Sequence, residues 1–169
     1  LMTEHQLSSS FSALRNGDRE AFHTLYEALS PPVYTVLLRL VGDRQSAEDL
    51  LQETFLRLYR QPPGPEVTHP RAWVFQVARN LAVDHLRARR GTLSLEDGSL
   101  PVPQADLDIK LDVEAALSRL SPEDRLLVSL HLNGGLRFRE CARLLGIPLG
   151  TALRRYHTAI GRVRDYLNG

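Results

Sequence analysis

Asp49, Gln52, Glu53 and Leu56 lie within "SAEDLLQETFLRLYR" (Ser46–Arg60). On a helix, spacings of three, four and seven put them on one side, as two carboxylates and an amide around an apolar residue. With no reacting group beside them, such residues do no acid–base work; they can hold a basic protein surface. Two other stretches carry groups of the opposite character. In Arg71–Arg90 the polar residues Gln76, Asn80, Arg87 and Arg90 lie largely off the apolar stripe, with Arg79 at its margin, and amides and guanidiniums of this kind bond bases and phosphates. Near the C-terminus Thr151, Arg154, Arg155, Thr158 and Arg162 take the solvent side of a helix whose apolar residues are Ala152, Tyr156, Ala159, Ile160 and Val163. Each face alone is what a solvated helix looks like, so function must come from their combination.

Enzymatic chemistry finds no footing. The six His residues form no ligand spacing with cysteine or carboxylates, and no phosphate loop, nucleophile–base pair or paired-carboxylate motif is present. No cofactor is expected, and the chain reads as a non-enzyme. Cys141 is the single cysteine, which fits a reducing compartment and reads as a small core residue. The sequence has no apolar run of transmembrane length and no signal-peptide pattern, so the expectation is a soluble cytoplasmic protein without membrane insertion.

The elements that must position these residues are helices. Apolar residues recur at helical spacing from Phe11 to Leu29, including Tyr26, with a turn at Asn16-Gly17-Asp18. A shorter helix is expected over Val33–Val41, entered through Pro31-Pro32 and closed by Gly42. Ser46 reads as the N-cap of the next helix, with Asp49 in the reciprocal position. "QPPGPEVTHP" (Gln61–Pro70) cannot continue a helix, and Arg71–Arg90 resumes the period, with Val74, Val77, Ala78, Leu81 and His85 inward. Further helices are expected over Leu111–Leu120, Pro122–Asn133, Phe138–Leu145 and Leu149–Tyr166, the last pair laid out as a helix-turn-helix about Gly146. No period-2 run marks a strand. The fold expected is all-α: a helical bundle over residues 1–90, a Pro/Gly/Ser-containing flexible linker over 91–106, and a helix-turn-helix domain over 107–169.

The overall net charge of +1 hides a pattern. Arg71–Arg90 holds five Arg against one Asp (+4), Thr92–Ala116 six acids against Lys110 (−5), and Arg137–Arg164 seven Arg against Glu140 (+6). Two basic blocks flanking an acidic one suit two nucleic-acid contacts on one chain.

"FSALRNGDREAFHTLYEALSPPVYTVLLRLVGDRQSAEDLLQETFLRLYR", "PRAWVFQVARNLAVDHLRARR" and "LSPEDRLLVSLHLNGGLRFRECARLLGIPLGT", in that order, resemble the extracytoplasmic-function (ECF) sigma factors of the bacterial sigma-70 family. The resemblance runs from Phe11 to Leu167. It implies a sigma-2 domain that reads the −10 promoter element, a sigma-4 domain that reads the −35 element, and a linker threading the polymerase. Asp49, Gln52, Glu53 and Leu56 then match the surface that docks on core RNA polymerase. The loop Gln61–Pro70, with His69, matches the one that captures a base flipped from the non-template strand. Asn80 matches the family's strand-facing asparagine, beside Arg71, Gln76, Arg79 and Arg87, while Trp73 is assigned to core packing. Thr151, Arg154, Arg155 and Thr158 are the candidates for −35 DNA. The family's helix often carries basic residues two and seven positions after the turn threonine, where this chain has Leu153 and Thr158. Partners implied are core RNA polymerase, promoter DNA and an anti-sigma factor. The readings left beside this one are a two-domain helix-turn-helix regulator and a sigma mimic that binds an anti-sigma factor without initiating.

Overall fold

A computed structural model describes residues 1–90 and 112–169; the expected linker, 91–106, and the expected start of the second domain at Leu107 lie outside the described residues. Among the described residues every regular element is a helix, in the order α1 (Glu4–Arg15), α2 (Arg19–Val41), α3 (Arg44–Arg60), α4 (Pro70–Arg90), α5 (Asp112–Ser118), α6 (Pro122–Leu132), α7 (Phe138–Leu145) and α8 (Leu149–Asn168). The all-α expectation is met. α1 to α4 form the first bundle. α5 to α8 form the second, and α6 packs on α2.

Three starts and stops explain the boundaries. Thr3 caps α1 through a reciprocal pair with Gln6, as a side-chain oxygen should for otherwise unpaired amides. Ser121 accepts from Asp124 N at 3.2 Å ahead of Pro122, the start expected for α6. After α6, Gly135 takes φ 71° and Leu136 N bonds Leu130 O at 3.1 Å, closing the helix where Asn133-Gly134-Gly135 predicted.

Two expectations are corrected. Val33–Val41 is not a separate helix: α2 runs unbroken through Pro31 and Pro32. The buried stripe of Leu25, Leu29, Val33, Val36 and Leu37 holds its register across them, and Thr35 Oγ1 donates to Pro31 O at 3.0 Å. The cap of α3 is Asp43, not Ser46. Gly42 (φ 83°) ends α2, and Asp43 at once turns its carboxylate onto Ser46 N at 2.8 Å. Asp49 instead accepts from Gln45 Nε2 at 2.9 Å.

One buried cluster runs from the first bundle into the second, from Leu7, Phe11 and Phe75 to Leu127, Leu130 and Leu144. A smaller one joins Leu117, Leu120, Val128 and Ala159. Val77 and Trp73 pack partly buried at the edge of the larger cluster, whereas Phe75 and Ala82, outside the expected stripe, are fully buried. Arg125 is buried and donates to Leu117 O, Ser118 O and Leu120 O at 3.0–3.1 Å, so its guanidinium closes the C-terminus of α5. Burial lowers its pKa, the nearby Arg39 adds to that, and Glu114 opposes it.

Cys141 is fully buried, and its thiol is pushed up to about 12, first by burial and next by the Glu140 charge. It should therefore resist a thiol-specific reagent at pH 8 in the native protein and react at once in denaturant, measured by the kinetics of modification. Burial alone would raise the Asp43 carboxyl. The Ser46 amide and hydroxyl and the Arg89 guanidinium outweigh it and hold the pKa below the usual carboxylate range. A depressed folded-state pKa stabilises fully above the unfolded value of about 3.9 and ceases to do so as pH falls through the folded one. Asp43→Ala should cost about 1 kcal/mol at pH 7 in urea denaturation, and the gap from the parent should shrink below about pH 4.

Candidate nucleic-acid interface

The loop between α3 and α4 is short of backbone hydrogen bonds, and it is held from outside. Arg15 Nη1 donates to Pro63 O at 2.5 Å, Val67 N bonds Gly64 O at 3.1 Å, and His69 O receives Trp73 N at 3.2 Å as α4 begins. Pro63 and Pro70 are buried and anchor the two ends, while Thr68 and His69 stay exposed between them. The loop is thus fixed at its base and open at its tip.

At about 100° per residue, Gln76, Asn80 and Arg87 fall within an arc of roughly 40° on α4. The structure brings these three to one face, and His69 lies in the loop just ahead of the helix. Gln76 Nε2 donates to Asn80 Oδ1 at 2.8 Å, leaving Asn80 Nδ2 as a donor and Gln76 Oε1 as an acceptor for another partner. Asn80 and Arg87 are exposed. Arg79 lies about 60° outside this arc, half-buried, with Nε unpartnered. Arg71 goes elsewhere. It is 5% exposed, its Nε pairs with Glu4 at 3.4 Å, and its terminal nitrogens donate to Met2 O and Gly134 O. In this arrangement its charge is spent inside the protein, and the expected phosphate contact is not available.

On α8 the exposed candidates are Arg154 and Thr158, with Thr151 half-buried on the same side. Arg155 is not among them. Its Nε donates to Asp124 Oδ1 at 2.8 Å and Nη2 to Glu123 Oε2 at 3.0 Å. Burial works to lower its pKa, but these two carboxylates outweigh that and raise it. The sequence reading put Arg155 on the DNA side, and the structure corrects this: it ties α8 to the start of α6. Arg162 remains exposed two turns beyond Arg154.

The acidic face lies on α3. Asp49, Gln52 and Leu56 are exposed, and half-buried Glu53 sits 3.5 Å from Arg57 of the next turn. Two neighbours escaped the sequence reading. Tyr59 (47% exposed) follows Leu56 by one helical step, and Tyr26 (39% exposed), expected inward, reaches the surface from α2. Phe22 and Phe55 join them edge-to-face, with Phe22–Tyr59 centroids 5.2 Å apart and Tyr26–Phe55 4.8 Å. Periodicity could not find this, because an aromatic shared between core and surface sits at a core position either way. The face is therefore acidic with an aromatic–aliphatic centre, the composition of a protein-binding surface. Among the described residues no group of His, Cys, Asp or Glu could hold a metal ion, and no helix is long and apolar enough to cross a membrane.

Comparison with known proteins places these faces in context. Residues 25–92 match the model for Sigma-70 region 2 and residues 110–162 the model for Sigma-70, region 4. The chain is 36% identical over 149 residues to the ECF RNA polymerase sigma factor SigE of Mycolicibacterium smegmatis, covering 80% of this chain but 57% of that protein. It is 33% identical over 150 residues to the ECF RNA polymerase sigma factor SigL of Mycobacterium tuberculosis, covering 83% and 85%. The fold matches the sigma factor RpoE from Bartonella quintana, solved in complex with the anti-sigma factor NepR, with a TM-score of 0.62 at 22% identity over 87% of this chain and 96% of that one.

Proposed function

This chain belongs to the extracytoplasmic-function sigma factors of the sigma-70 family, and on that premise we propose that it binds core RNA polymerase and directs initiation at the promoters of a specialised regulon. The observation that carries the proposal is one bundle with two unlike faces. α3 offers Asp49, Gln52, Glu53 and Leu56 with Tyr59 beside them, and α4 offers Gln76, Asn80 and Arg87, with His69 just ahead of it. A simple repressor needs only the second kind of surface, since carboxylates beside DNA would be repelled. The first suits a basic protein partner. In this reading the protein is a non-catalytic cytoplasmic subunit: α3 docks on polymerase, α4 and its loop hold the extruded −10 strand, and α8 meets the −35 element.

Strand opening costs a few kcal/mol per unstacked base, so the loop must return that through contacts an extruded base alone can make. The loop carries no aromatic residue. His69 and the Gln76–Asn80 pair are the groups placed to bond a base edge. At the −35 end, Arg154 is an exposed cation, and Thr151 and Thr158 are its hydrogen-bonding neighbours. An anti-sigma factor, as bound by the RpoE relative, fits as a partner that would cover the same faces.

Mixed with core polymerase and genomic promoter fragments, the protein should start transcripts at defined sites; tight DNA binding without polymerase association would mark a plain regulator, and anti-sigma capture without transcripts a mimic. Gln52→Ala combined with Glu53→Arg should weaken core binding at least about tenfold, a loss of 1.4 kcal/mol, with thermal stability unchanged; unaltered affinity would remove α3 as the docking face. Arg154→Ala should lower promoter affinity and reduce the slope of log K against log salt by about one. Arg155→Ala should leave that slope alone and cost about 1 kcal/mol of stability instead.

A further inference from the structure

The loop Gln61–Pro70 is poor in hydrogen-bond donors of its own. Four of its ten residues are proline, so four backbone N–H groups are missing where the chain must turn. What order it has comes from one turn and from outside. Val67 N bonds Gly64 O at 3.1 Å, and Pro65 takes the second position of that turn, where its fixed φ suits. Ahead of the turn, the carbonyl of buried Pro63 accepts from Arg15 Nη1 at 2.5 Å. Pro62, Pro63 and Pro65 have no N–H to offer that oxygen, and a guanidinium is a stronger donor than the amide it stands in for.

Arg15 reaches the loop from a fixed base. It is the last residue of α1, whose Leu7, Phe11 and Leu14 are buried in the larger core cluster, and α1 packs on α2 and α4. The helix then ends at once, as Asn16 N bonds Ser12 O and Ala13 O and Gly17 takes φ 90°. Arg15 itself is exposed, so replacing it opens no cavity. From Pro63 the chain passes through the turn to half-buried Val67 and on to exposed Thr68 and His69. Pro70 is buried again as α4 begins. The exposed tip is thus strung between two fixed points, α4 at Pro70 and α1, through Arg15, at Pro63.

We propose that Arg15 is a positioning residue for strand reading: it holds the loop in the conformation that presents Thr68 and His69 to an extruded base, without touching DNA itself. The inference rests on the assignment of this loop to base capture made above. A loop that becomes ordered only on binding loses part of its contact energy to that ordering. An extruded base has already lost its stacking, so little is left over for it to be met by groups still finding their places. Telling one base from another is a difference of affinities, and it needs donors and acceptors held in fixed geometry. Arg15 supplies that fixity from 48 positions away in the chain.

The test uses the full chain in complex with core polymerase. The probe is a promoter-length duplex with an unpaired non-template stretch of randomised sequence, selected by binding and then sequenced. The parent should enrich one base within that stretch by at least about fivefold, the scale of a good base-edge contact. Arg15→Ala should lower the enrichment below about twofold, and Arg15→Lys, which keeps a cationic donor, should recover part of it. Core affinity should not change in either. Arg15→Met, which keeps the stem without the donor, stands in if Arg15→Ala loses thermal stability. Thr68→Ala with His69→Ala should erase the same preference, and adding Arg15→Ala to that pair should weaken binding of the enriched strand no further. In Arg15→Ala the Val67 amide should exchange with deuterium faster than in the parent. Unchanged exchange overturns the strut. Parental enrichment in Arg15→Ala, or a further loss in the tip-deleted background, overturns positioning and leaves the loop assignment standing. A fall of about one in the slope of log K against log salt makes Arg15 a direct phosphate contact and also overturns positioning. A parent that enriches no base overturns the loop assignment itself, and the role of Arg15 with it.

Discussion

The helix α2 is the constraint on which the architecture depends. α1, α3, α4 and α6 all pack on it, so its two ends cannot be allowed independent directions. Yet Pro31 and Pro32 sit in its middle, each removing a backbone bond at about 3 kcal/mol. The opposing quantity is burial. Leu25, Leu29, Val33, Val36, Leu37 and Leu40 are nearly all out of water, and each contributes roughly 1.5–3 kcal/mol. Six such side chains outweigh two missing bonds. The prolines survive because the helix is held by what surrounds it rather than by its own ladder.

That balance also explains what could be read from the chain alone and what could not. Helix identity was legible wherever a local signal suffices: Ser121-Pro122 at the start of α6, the Asn133-Gly134-Gly135 stop, the 3.6-residue stripe of α4. Continuity through Pro31-Pro32 was not, because the deciding energy comes from residues distant in sequence. The cap of α3 was missed by three residues for a related reason: Ser46 and Asp43 are both capping types, and only the sharp exit at Gly42 selects between them.

The functional faces divide along the same line. Spacing alone grouped Asp49, Gln52, Glu53 and Leu56, and put Gln76, Asn80 and Arg87 on one side of α4. It could not say where a long cationic side chain ends. Arg155 meets carboxylates 31 and 32 positions away, and Arg71 a carbonyl 63 positions away. Position on a helix is local, whereas the partner of a guanidinium is a property of the whole fold. Tyr26 and Tyr59 escaped for the converse reason, as each rests one edge on Phe55 or Phe22 and turns the other to solvent.

α5 is seven residues long, too short to be stable as an isolated helix. Its last carbonyls are satisfied by Arg125 from α6, and Glu114 on its first turns is satisfied by Arg39 from α2. The segment is thus held from both bundles, by these two guanidiniums and by Leu117 packed with Val128 and Ala159. Free-energy coupling is reciprocal. Whatever draws Arg39 away loosens α5, and whatever seizes the unwound segment releases Arg39. A change at Arg39 is therefore felt on α5, although the two residues lie in different bundles.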